Sequence, residues 1–193
     1  MLIWINGPFG VGKTHTAFEL YRRLPGSCVS DPEHHGFALF KTIPPSLRGD
    51  FQDLPIWRKT TFETLKYLSE HHAGPVIVPM ALVQPAYFEE IVGRLRQENH
   101  DVRHFALLAS RETLLRRLRK RGDLASSWPA QQMERCLQAL QDPLFADHLN
   151  TEQKSIPELA EHIAGCCGLD LQPRLSGMAA TLYRWKVTLG HIR

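Results

Sequence analysis

The chain begins with an apolar run, Met1-Leu2-Ile3-Trp4-Ile5-Asn6, that leads directly into Gly7-Pro8-Phe9-Gly10-Val11-Gly12-Lys13-Thr14, a G-x-x-x-x-G-K-T pattern. This junction of strand, glycine loop and helix limits the fold more than any other stretch. Gly7, Gly10 and Gly12 permit turns that a Cβ resists, so several backbone N–H groups can converge on phosphate oxygens where the next helix starts. In such a loop Lys13 supplies charge to the β- and γ-phosphates, and the Thr14 hydroxyl is a ligand for Mg²⁺. Residues Gly7, Pro8, Phe9, Gly10, Val11, Gly12, Lys13 and Thr14 therefore read as a triphosphate cradle, with ATP and Mg²⁺ as the cofactors. A plain glycine turn is the other reading, and the agreement of strand, spacing and helix argues against it.

The pattern downstream alternates. Helical spacing covers Thr14 to Leu24 and stops at Pro25-Gly26; a short strand follows at Ser27 to Ser30, then Asp31-Pro32. Gly36 to Pro55 is rich in breakers and reads as short helical pieces before a longer helix from Ile56 to His71. Val76-Ile77-Val78 suits a buried parallel strand. Pro85 to Glu98 reads as helix, His104 to Ala109 as strand, Arg111 to Arg121 as a basic helix, Ala130 to Leu140 as helix, Asp147 to Thr151 as a last strand and Ile156 to Cys166 as its helix. Strands alternating with helices predict an α/β fold, a mostly parallel five-stranded sheet covered on both faces.

At 193 residues and 43% hydrophobic content the chain is long enough for one full core. Its net charge of +3 is uneven. Residues 171–193 hold Arg174, Arg184, Lys186 and Arg193 without an acidic residue, which leaves the rest near −1. That body does not suggest a nucleic-acid partner. Cys28, Cys136, Cys166 and Cys167 form no C-x-x-C pair and read as reduced thiols. With no signal sequence or membrane-length apolar run, the expected location is the cytoplasm.

Asp31 follows the second strand and so is expected at the carboxyl edge of the sheet, where open α/β folds bind ligands. A carboxylate there can accept the proton of an attacking hydroxyl, or simply begin an Asp-Pro turn. In the basic helix, Arg117 and Arg121 are four apart and share a face. That pair can meet a nucleotide base or a transferring phosphoryl group, the alternative being a solvated charged face; Arg135 on the next helix is a weaker candidate of the same type.

Together the phosphate loop, Asp31, the L-x-x-R-L-x-x-R run at Leu114 to Arg121 and the broken segment after it resemble the nucleoside and nucleotide kinases of the P-loop group. The phrases WINGPFGVGKT, DPEHHGFAL, VIVPM, YFEEIVGRLRQE and ASRETLLRRLRKR are more closely similar to bacterial tunicamycin-resistance proteins. The resemblance implies a three-layer P-loop domain over residues 1–172, a lid at about 119–129, and a separate amphipathic segment at 173–193. It also implies an ATP-dependent phosphotransferase acting on tunicamycin, a nucleoside antibiotic carrying uracil, sugars and a fatty-acyl chain. Lys13, Asp31, Arg117 and Arg121 would be catalytic, with Arg117 also on the nucleotide. The third strand, unlike the usual pattern, does not end in an acidic residue; the alternative to Asp31 as the base is that it serves the metal through water instead.

The acceptor pocket is expected between strands two and three, where Phe37, Phe51 and Trp57 can stack on a uracil ring and Arg58 can meet a polar substituent. Ordinary core packing is the alternative for the three aromatics. His34-His35 is too thin a signal for a metal site. In the tail, Leu175, Met178, Leu182, Trp185, Leu189 and Ile192 recur three and four apart, forming one apolar stripe. It fits docking on the body, a dimer contact or an anionic membrane surface. The resemblance favours the last, which would place the protein at the inner face of the membrane. Two other functions compete: ATP-dependent sequestration of the drug at the membrane, and a kinase for an ordinary small metabolite.

Overall fold

The computed structural model of the chain describes residues 1–123 and 127–190. Five strands form one sheet in the order β2-β3-β1-β4-β5, with every pairing parallel: β1 (Leu2–Asn6), β2 (Cys28–Val29), β3 (Val76–Pro79), β4 (Val102–Leu108) and β5 (His148–Asn150). The middle place of β1 explains its unbroken apolar sequence, because both of its faces are covered. Leu2 and Trp4 enter a core with Trp57, Phe62, Phe88 and Phe145. Ile3 and Ile5 enter another with Leu20, Leu114, Leu118 and Ile163. The molecule is thus a three-layer α/β/α sandwich, as the alternation predicts.

On the second face lie α1 (Lys13–Arg23), α6 (Arg111–Arg121) and α9 (Ile156–Cys166). Ser110 caps α6 by accepting from the Thr113 N–H at 3.3 Å, and Gly122 ends it with φ of 97°. A capping box between Ser155 and Glu158 starts α9.

Three stretches differ from the sequence pattern. The breaker-rich segment contains a full helix, α2 (Glu33–Thr42), before two 3₁₀ turns at Pro45–Leu47 and Phe51–Asp53 and the helix α3 (Pro55–His71). Gly36 does not interrupt α2; it makes room, since a Cβ there would run into the Phe51 ring. The expected helix at 85–98 is split by a π turn, giving α4 (Pro85–Phe88), Glu89–Gly93 and α5 (Arg94–Gln97). The expected helix at 130–140 is two short ones, α7 (Trp128–Gln131) and α8 (Met133–Ala139), joined at Gln132.

The tail holds α10 (Gly177–Gly190), which lies against α1. Its lead-in is tied to the end of α1: the Gln172 N–H donates to the Arg23 carbonyl at 2.9 Å, and Arg23 Nε returns to the Gln172 carbonyl at 2.6 Å. Farther on, Tyr183 Oη donates to the Phe18 carbonyl at 2.8 Å, His15 Nε2 meets Thr188 Oγ1 at 3.1 Å, and Val187 is buried. Met178, Leu182, Trp185 and Leu189, four residues of the predicted stripe, are 62–83% exposed. The helix therefore docks through the opposite face from the one its apolar pattern suggests. Ile192 and residues 124–126 of the break after α6 fall outside the described residues. Among the described residues, no helix is long and apolar enough to cross a membrane.

Candidate phosphate-binding and transfer site

The loop has the backbone that a phosphate cradle requires. Gly7, Gly10 and Gly12 adopt φ of 139°, 80° and 109°, and a Cβ on Gly7 would stand 2.6 Å from the Leu107 carbonyl oxygen and 2.8 Å from Val11 Cγ1. Gly12 is the left-handed N-cap of α1, so the free N–H groups of its first turn gather where the loop ends. These residues fit a bound triphosphate on conformation and space alone.

Lys13 is turned inward. Its Nζ donates to the carbonyls of Gly7 at 2.8 Å and Pro8 at 3.1 Å, and lies 5.2 Å from the Phe9 ring centroid. Burial pulls its pKa down, opposed by Glu33 first, then by Cys136 and Asp31. Phe9 meets Trp128 edge to face at 5.2 Å, joining the loop to the start of α7. Thr14 sits half-buried in the first turn of α1, where a loop-bound cation would find its hydroxyl.

Asp31 lies just beyond β2, is buried, and has Oδ1 accepting from the Glu33 N–H at 3.0 Å. It therefore makes the turn that starts α2, and with Glu33 it is one of the carboxylates whose charge acts on Lys13. Glu33 was not a candidate from the sequence, although the run Asp31-Pro32-Glu33 puts two carboxylates within one turn of the strand's end.

Asn6 is a second residue that the sequence pattern conceals, because it ends an apolar strand. Its Oδ1 accepts from the N–H groups of Gly7 at 2.8 Å and Leu82 at 3.0 Å, and its Nδ2 donates to the Leu82 carbonyl at 2.7 Å. It thereby fastens the loop to the segment after β3. Behind it, His104 Nε2 is 3.2 Å from Asn6 Nδ2, and burial pushes the His104 pKa down to about 4. A neutral ring accepting at Nε2 completes the network.

The expected nucleotide arginines have partners of their own. Arg117 donates to Val11 O at 3.3 Å, to Thr151 Oγ1 at 2.9 Å and to Thr151 O at 2.9 Å, which braces the loop against the end of β5. Arg121 Nε is 2.5 Å from Asp123 Oδ2. Arg135 bonds the Gln132 side chain at 3.3 Å.

The expected acceptor residues are brought together but not equally presented. Trp57 is fully buried and its Nε1 donates to the Pro32 carbonyl at 2.9 Å, so it packs in the core and holds the Asp31 turn. Phe51 lies on Trp57, Phe37 and Phe40 with centroids 5.4–6.0 Å apart, and both Phe37 and Phe51 keep some exposure. Arg58 is held by Glu90 at 2.5 Å and the Gln52 carbonyl at 2.6 Å, and stacks over Tyr87. His35 Nδ1 is 3.4 Å from Thr61 Oγ1.

Residues 2–143 match the family model described as an AAA domain. Over 90% of this chain and 99% of that one, the structure is similar to the tunicamycin resistance protein of Deinococcus radiodurans, at 37% identity and a TM-score of 0.76. The chain belongs to this tunicamycin-resistance family of P-loop kinase-like proteins. More distant relatives share the fold. A gluconokinase from Sinorhizobium meliloti 1021 is 18% identical with a TM-score of 0.60, over 95% of each chain. The shikimate kinase of Bacteroides thetaiotaomicron is 16% identical with a TM-score of 0.60, over 88% of this chain and 99% of its own. No curated protein matches significantly.

Proposed function

We propose that the protein is an ATP-dependent phosphotransferase that moves the γ-phosphoryl group of ATP onto a hydroxyl of a nucleoside-like antibiotic of the tunicamycin type. The observation that carries this reading is the inward Lys13 at the end of a glycine cradle, with the charges of Glu33 and Asp31 acting on it. Lys13 leaves the Gly7 and Pro8 carbonyls to meet the β- and γ-phosphates, and the amides of the loop take the remaining oxygens. Thr14 would hold Mg²⁺, which would supply neutralisation of phosphate charge. Asp31 accepts the proton of the attacking hydroxyl; the acceptor oxygen bonds to the γ-phosphorus, the bond to the bridging oxygen breaks, and ADP leaves. Arg117 and Arg121 exchange Thr151 and Asp123 for the nucleotide. Phe37 and Phe51 face the acceptor, with Arg58 released from Glu90 to reach it, while Trp57 supports them from the core.

A second reading, sequestration of the drug, draws on the outward stripe of α10. In that reading residues 1–172 bind ATP and drug, and residues 173–193 rest on an anionic membrane through Met178, Leu182, Trp185 and Leu189, with Arg184 and Lys186 beside them. Resistance assays on two variants separate the readings. Transfer predicts that Asp31→Asn loses protection while deletion of 174–193 keeps some. Sequestration predicts the reverse.

A further inference from the structure

Beyond Pro79 the chain leaves β3 as a buried segment, Met80-Ala81-Leu82-Val83. Three consecutive carbonyls of this segment each accept from a side chain remote in sequence: Met80 O from Trp4 Nε1 at 3.2 Å, Ala81 O from Gln52 Nε2 at 3.1 Å, and Leu82 O from Asn6 Nδ2 at 2.7 Å. The partners alternate as strand geometry requires, since neighbouring residues offer their N–H and C=O groups to opposite edges. Met80 and Leu82 turn to β1, the Met80 N–H donating to Ile5 O at 3.1 Å and the Leu82 N–H to Asn6 Oδ1 at 3.0 Å. Ala81 turns to the other edge, where β2 pairs as far as Val29 with Ile77. Beyond the end of β2, the Gln52 side chain takes that edge.

Gln52 is 7% exposed and lies in the 3₁₀ turn Phe51–Asp53. Its N–H donates to Asp50 Oδ1 at 3.0 Å and its carbonyl accepts from Arg58 Nη1 at 2.6 Å, so the backbone of the turn is fixed on both sides. The turn carries Phe51, one of the partly exposed aromatics beside Phe37. On the opposite edge, Asn6 grips Leu82 through both atoms of its amide and also accepts the Gly7 N–H at 2.8 Å. A continuous path of hydrogen bonds and backbone therefore runs from the Phe51 turn through Gln52, Ala81-Leu82 and Asn6 to the first residue of the phosphate loop.

We propose that Gln52 is a positioning residue, whose bond to Ala81, carried on through Leu82 and Asn6, sets how the Phe51 turn stands relative to the phosphate loop. This rests on the reading of the loop as the donor side and of Phe51 as part of the acceptor side. Phosphoryl transfer between two held reactants is steeply sensitive to their alignment, a displacement of about 1 Å costing on the order of 100-fold. Gln52 thus acts on the rate of transfer and not on nucleotide affinity.

Gln52→Met keeps the length of the side chain and removes the donor to Ala81, together with Oε1, which has no hydrogen-bond partner among the described residues. Gln52→Leu, a second variant, removes the same donor with a shorter side chain and is expected to behave alike. Two measurements on the full chain test the proposal. Amide hydrogen exchange without ligands reads the tie: Gly7 and Leu82 are expected to exchange at least about tenfold faster in the variants, while Ala106 of β4, bonded to Asp147 O, keeps its wild-type rate. Kinetics and calorimetry read the consequence: kcat toward tunicamycin falls at least about tenfold, with the Kd for Mg²⁺-ATP within about twofold of wild type. Gly7 exchange unchanged, or all three amides accelerated alike, overturns the tie. A wild-type kcat in variants with a loosened Gly7, or an ATP affinity that falls in step with kcat, overturns the positioning role. A wild-type protein that binds ATP and drug but transfers nothing contradicts the phosphotransferase reading, and the positioning role with it, while exchange at Gly7 still decides the tie.

Discussion

At Lys13 the loop satisfies its own lysine with two carbonyls and an aromatic face. Lys13→Met removes the charge and is expected to lower acceptor-dependent ADP formation at least about 100-fold, as for loss of other preorganised electrostatic groups; steady-state rates check this. Gly7→Ala adds a Cβ against the Leu107 carbonyl at a φ of 139° and is expected to cost about 2 kcal/mol in urea unfolding. His104 gives the structure a pH dependence. Its folded pKa of about 4 is below the unfolded value, so the unfolded chain binds more protons between about pH 6.5 and 4. The stability it supports is complete above about pH 6.5 and falls as pH approaches 4, by at most on the order of 3 kcal/mol. Urea melts of wild type and His104→Gln across that range should diverge most at the upper end and converge toward pH 4. Asn6 and His104 were not legible in the sequence because their task is set by distant partners, Leu82 and Phe145 among them. Trp57 could not be assigned for a similar reason: an aromatic ring reads alike in a pocket and in a core.

Among the elements, the strand-loop-helix unit was legible because spacing and glycine placement specify it locally. Helix α2 was not, since Gly36 is tolerated there only through its contact with Phe51, fifteen residues later. The tail shows how a pattern can identify a face without its partner. Its apolar stripe is real, yet the body takes the face with Tyr183, Val187 and Thr188. Replacing Leu182 and Trp185 together by Ser should therefore leave the thermal midpoint within a few degrees. A large loss of thermal stability would mean that the stripe packs on the body.

For the whole molecule, the alternation of strands and helices implied a parallel sheet, but the strand order follows from tertiary pairing. That order places β1 and the loop that follows it at the centre, between β3 and β4. The most direct measurement is the mass of tunicamycin after incubation with the protein, Mg²⁺ and ATP. The account predicts that the drug gains one phosphoryl group, with an equal amount of ADP formed. Drug recovered unmodified from a protein that demonstrably binds both ATP and tunicamycin would contradict it.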